Sequence, residues 1–148
     1  MISDFSSEIH LRNTLEHLTS NDWALLETKA ERVTFALGHK IIIQGSPIHF
    51  VYIIRDGLAS VELSTRHSGM VLAVLGQGDV CGEMAFLQRG IASATVVAKD
   101  MEVVADAIHV DDLRQLIDTF PGFAARFFRS LAAILAKRLQ HALAELIR

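Results

Sequence analysis

A chain of 148 residues with 51% hydrophobic and 21% charged residues is neither disordered nor fibrous, and it is long enough to bury roughly 70% of the surface its unfolded form exposes. A net charge of -3 and a pI near 6.1 provide no basic field to gather phosphate backbones, so no direct nucleic-acid partner is expected. The single cysteine, Cys81, excludes an internal disulfide and a cysteine-based zinc site, the polar start MISDFSSEIHLRN is no signal peptide, and no segment reaches the roughly 18 to 20 apolar residues of a membrane span, which together predict a cytoplasmic protein.

From Ile9 to Ala30 the apolar spacing is helical. Leu11, Leu15 and Leu18 mark one short helix, and Ser20 or Asn21 is placed to cap a second that carries Asp22, Trp23, Leu25 and Leu26. Short β-branched runs follow: Val33 to Leu37, Ile41 to Ile43, Phe50 to Ile54, Leu58 to Leu63, Met70 to Leu75, Ala94 to Ala98 and Val103 to Ile108. Glycines punctuate them, and Asp56-Gly57 reads as a hairpin turn. Asp111 is the expected N-cap of a helix with Leu113, Leu116 and Ile117, and Pro121 suits the first turn of a long final helix. The fold class is α+β, mainly β. Residues 1–148 are expected to form one domain, with N-terminal helices over 1–32, a jelly-roll-like β-roll over 33–109 and C-terminal helices over 110–148.

The run from Gly38 through VYIIRDGLASVEL to LGQGDVCGEM resembles, taken in order, the cyclic-nucleotide-binding domain of catabolite-activator-type regulators, kinase regulatory subunits and gated channels. The resemblance extends from about Leu15 to Leu139, with the ligand-gripping cassette at 76–95. It implies that Glu83, after Gly82, bonds a ribose hydroxyl, that the N–H groups of Met84 and Ala85 cradle a cyclic phosphate, and that Thr95 lies near the purine. The family's phosphate-pairing arginine is missing. Its position is held by Ala92, with Ile91 before it and Ser93-Ala94-Thr95 in register after it, and Arg89 is the candidate substitute. Deleting one partner of a buried charge pair costs about 2 to 5 kcal/mol, roughly 30-fold to several thousand-fold in affinity. The ligand expected is cyclic AMP, cyclic GMP or another cyclic nucleotide, bound weakly or not at all, with contacts from Gly82, Glu83, Met84, Ala85, Arg89, Ala92, Ser93, Thr95 and a residue of the last helix.

No enzyme chemistry is expected. A cupin-like metal site wants two inward histidines two apart on one strand, whereas His39, His49, His67 and His109 are isolated. No Ser, His and Asp arrangement declares a nucleophile, and Gly76 to Asp79 reads as a tight turn. The final helix carries a broad apolar stripe of Phe127, Phe128, Leu131, Ile134, Leu135, Leu139, Leu143 and Leu146. Part should cover the roll, and the rest should pair with a second copy in a two-fold dimer. Arg126, Arg129, Lys137, Arg138 and Arg148 near its end complement the helix dipole. No helix-turn-helix follows before Arg148, so the output is expected to pass through a protein partner, a separately encoded effector or a further part of a longer chain. A protein-interaction module that has lost nucleotide binding is the alternative.

Overall fold

The computed structural model describes residues 14–88 and 90–147. In chain order these form α1 (Ser20–Glu27), β1 (Ala30–Ala36), β2 (Lys40–Ile42), β3 (Phe50–Asp56), β4 (Ala59–Ser64), β5 (Gly69–Leu75), β6 (Val80–Cys81), α2 (Glu83–Leu87), β7 (Thr95–Ala98), β8 (Glu102–His109), α3 (Val110–Thr119) and α4 (Pro121–Leu146). The strands make two four-stranded antiparallel sheets, β1-β8-β3-β6 and β2-β7-β4-β5. Because the chain passes repeatedly from one sheet to the other, it wraps as a roll, as its short apolar runs predict.

Several local expectations are corrected. Residues 1–13, which carry the start of the first expected helix, lie outside the described residues. Leu15 and Leu18 occupy a turn in which the Leu18 N–H donates to the Leu15 carbonyl. The cap of α1 is Thr19, not Ser20 or Asn21, because only Thr19 has an acid three residues on to close a reciprocal box. Its hydroxyl accepts from the Asp22 N–H at 3.1 Å, and Asp22 accepts from the Thr19 N–H at 3.0 Å. Asp56-Gly57 is a turn but not a hairpin, since β3 and β4 belong to different sheets. Gly57 is required there: its φ is +86°, and a Cβ would stand 2.7 Å from the Glu102 carbonyl oxygen. Likewise α3 is capped by His109, whose Nδ1 accepts from the Asp111 N–H at 3.1 Å, while Asp111 sits in the first turn. Pro121 opens α4 as expected.

Apolar side chains collect in two clusters. One lies inside the roll and includes Ile42, Ile54, Leu75, Cys81, Ala92, Val96 and Val103. The other packs the helices on the outer sheet through Val51, Ile53, Ile108, Leu113, Phe123, Phe127, Leu131 and Ile134. The fully buried residues of α4 end at Ile134, and beyond it Leu139, Leu143 and Leu146 are exposed.

An ion pair ties α4 to α1. Arg126 donates to both oxygens of the buried Asp22 carboxylate, at 2.6 and 2.9 Å, and holds that carboxyl down at about 2. The depressed value means that this stabilisation is present above pH 3.8 and is lost as pH falls towards 2. Asp22→Asn should therefore lower the urea-derived stability at pH 7 and flatten its acid arm. Losing a buried partner costs about 3 to 5 kcal/mol, but Arg126 is 40% exposed and can rehydrate, so a loss of about 2 kcal/mol is expected.

Candidate functional site

Gly82 sets the site. With φ at +89° it turns β6 sharply into α2, and a Cβ there would come 3.0 Å from the Phe50 carbonyl oxygen. The turn drives Glu83 inward at the first position of α2, and the Phe86 N–H closes the first turn on the Gly82 carbonyl. Glu83 is 3% exposed, and its Oε2 has no hydrogen-bond partner. Burial pushes its carboxyl above the usual carboxylate range, against the opposing pull of Arg138.

Arg138, on α4, reaches the same place. Its guanidinium nitrogen stands 3.5 Å from Glu83 Oε2, and its other Nη donates to the Met84 sulfur at 3.2 Å. A pocket lies under this contact. Its lining comprises Gly82, Glu83, Met84, Ala85, Ala92, Ser93 and Arg138 with an apolar floor of Ile42, Val61, Leu75, Cys81 and Val96. The pocket holds only about 60 Å³, a small fraction of the roughly 300 to 1,000 Å³ of small-molecule sites. In this arrangement the roll, α2 and the guanidinium close on one another.

Ala92 faces the pocket at 5% exposure, pinned on both sides of its backbone: its N–H donates to the Ser46 carbonyl and its carbonyl accepts from the Gly45 N–H. Its register on the Gly45-Ser46 turn leaves no cation at this position. Ser93 is exposed at the rim. Thr95 does not line the pocket; its hydroxyl accepts from the Gln44 N–H at 3.0 Å. Arg89 lies outside the described residues. Burial, reinforced by the charges of Glu83 and Asp79, pushes the Cys81 thiol up, so it is no nucleophile at neutral pH. Among the described residues no group of three His, Cys, Asp or Glu side chains is placed to hold a metal ion, and no helix is long and apolar enough to cross a membrane.

Arg138 is the residue sequence reasoning passed over, because it read as one of several basic residues near a helix end. A signal was present. Phe127, Leu131, Ile134 and Arg138 fall at i, i+4, i+7 and i+11, so Arg138 is a cation on the core-facing stripe of α4.

A family model described as the cyclic nucleotide-binding domain matches residues 32–120. The chain is 36% identical over 120 residues to the cyclic AMP receptor protein of Thermus thermophilus, covering 78% of this chain and 52% of that one. It is 32% identical over 139 residues to glutaminase 2 of Bradyrhizobium diazoefficiens, covering 93% of this chain and 22% of that one. It thus spans about half of one curated relative and about a fifth of the other. A solved cyclic nucleotide-binding domain from Methylobacillus flagellatus superposes with a TM-score of 0.79 at 18% identity, over 97% of this chain and 83% of that one. With the roll, the Gly82-Glu83 turn and the family match in agreement, the chain belongs to the cyclic nucleotide-binding domain family.

Proposed function

We propose that this chain is a regulatory domain whose pocket takes a cyclic nucleotide in an altered manner and reports occupancy through α4. The observation that carries the reading is the insertion of Arg138, from α4, against Glu83 in the pocket. About 60 Å³ is too small for a nucleotide, so a ligand has to displace lining side chains, and on this reading Arg138 is the one that links pocket occupancy to helix position. The ligand shifts the helix only by its difference in affinity for the two arrangements. On this reading residues 1–148 act as one cytoplasmic domain without catalysis of its own and without direct contact to nucleic acid, and an effector protein receives the signal from the helix.

Calorimetric titration with cyclic AMP, cyclic GMP and cyclic di-GMP up to millimolar concentration tests this. Binding of at least one is expected, weakened about 10-fold to 100-fold in Glu83→Ala by loss of a hydrogen bond from the ligand to a charged acceptor. A second reading, a dimerisation or interaction module without a ligand, draws support from the exposed Leu139, Leu143 and Leu146 on α4. A dimer in sedimentation that binds no nucleotide would favour it.

A further inference from the structure

We infer that Arg138 is the phosphate-pairing cation of this pocket, supplied by α4 in place of the arginine absent at position 92, so that the ligand's phosphate is gripped by the helix itself. The inference rests on the regulatory reading above and specifies the ligand chemistry of the same site.

Four observations converge on it. Among the described residues lining the pocket, Arg138 is the sole cation. It sits on the core-facing stripe of α4 with its side chain 28% exposed, and its present partners leave most of its donors open to a ligand: a carboxylate at 3.5 Å without a hydrogen bond, and a thioether, which is a weak acceptor. A planar guanidinium has five donors in a fork that fits a phosphate through two parallel bonds. Beside it, the buried Oε2 of Glu83 lacks a donor, and a ligand hydroxyl would supply one. Ligand chemistry follows from the pair. An anion satisfies the fork and an adjacent hydroxyl satisfies the carboxylate, and a ribose phosphate carries both.

The fold also lets Arg138 change partner. Beyond Ile134, Arg138 meets Glu83 and Met84, and Lys137 meets Glu16, and none of these groups belongs to a core cluster. This segment can swing as a ligand enters without unpacking the core. The cassette arginine would hold a phosphate on the roll, whereas Arg138 holds it from the moving element.

The test compares cyclic AMP with adenosine, which shares base and ribose but carries no phosphate. Three proteins are titrated: the native chain, Arg138→Met, which keeps an unbranched apolar stem, and the double variant Ala92→Arg with Arg138→Met. Circular dichroism confirms that each folds. The native chain should prefer cyclic AMP; Arg138→Met should weaken cyclic AMP by at least about 30-fold and leave adenosine nearly unchanged. In the double variant cyclic AMP binding should return. Helix motion should not return with it, read as the distance between nitroxides on Leu37→Cys and Ala142→Cys, which cyclic AMP should change in the native background. Cys81 is buried and does not compete for the label. Equal or tighter cyclic AMP binding by Arg138→Met overturns the inference and leaves Arg138 as a plug. Absence of binding of cyclic AMP, cyclic GMP and cyclic di-GMP by the native chain at millimolar concentration also overturns it. The single Ala92→Arg variant then decides the reading beneath: binding by that variant retains a nucleotide pocket, and its silence discards one.

Discussion

Glu83→Gln should raise the thermal midpoint of the protein at pH 7 while weakening its ligand. The carboxylate is buried at the start of α2, one oxygen has no hydrogen bond, and burial raises its protonation range above the ordinary 4.5. A raised folded value means that the folded chain holds a proton that the unfolded chain has released. Stability from this group is full below pH 4.5 and declines as pH climbs from there into the raised range. The groups facing it are Arg138 from α4, which pulls the other way, and Cys81 from β6, neutral at these pH values. An isosteric amide removes the charge and its desolvation. Arg138, whose side chain is already 28% exposed, can rehydrate once released and is not stranded. A gain of about 2 kcal/mol, roughly 5 °C for a chain of this size, is expected in differential scanning calorimetry at pH 7, shrinking as the pH approaches 4.5. A lower midpoint at pH 7 would mean that the Glu83 to Arg138 contact holds the fold together. Sites kept for binding at a cost in stability are expected to respond in this way.

Phe127→Ala should produce the largest loss of stability. Phe127 is 1% exposed and sits where α4 meets the rest of the molecule: its ring stacks on Phe123 with centroids 5.6 Å apart, and it meets Phe86 of α2 edge-on at 6.2 Å. Truncating a buried phenylalanine costs about 3 to 5 kcal/mol through lost transfer energy and the cavity left behind, so a drop of roughly 10 °C or more in the thermal midpoint is expected. The Phe86 contact gives the substitution a second effect. Phe86 shares its short helix with Glu83 and Met84, so the cavity loosens the site as well as the core. Urea unfolding measures the first effect and nucleotide titration the second. A loss below about 1 kcal/mol would show that the helices repack around the gap.

How much of this was legible in the residues depended on whether burial leaves a periodic trace. The runs Phe50 to Ile54 and Val103 to Ile108 became β3 and β8, which pair with each other near the middle of their sheet. β6 was missed because two residues, Val80 and Cys81, are too few to display alternation. The start of β1 was missed because Glu31 and Arg32 are solvent-facing and join the sheet through backbone pairing to Ala107 and Asp106. The caps at Thr19 and His109 were misplaced by a residue or two, since several polar candidates stood side by side and only geometry chose among them. In the site, Gly82 and Glu83 were readable from their local pattern, as was the vacancy at Ala92. Arg138 was not, because its partner lies 55 residues away in sequence and its core-facing position shows only when the stripe is followed through Ile134.

On the proposed reading, the exposed end of α4 would act as an amplifier of small displacements. From Ile134, where burial stops, to Leu146 the helix runs for twelve residues, about 18 Å at 1.5 Å per residue. A tilt of about 10° about Ile134 would carry the far end through roughly 3 Å. Arg138 lies only one turn from that pivot, so under the proposed reading a sub-ångström change in how its guanidinium is held would become, at the tip, a displacement comparable to a hydrogen-bond length. A neighbour docked there could discriminate the two positions through its own packing alone.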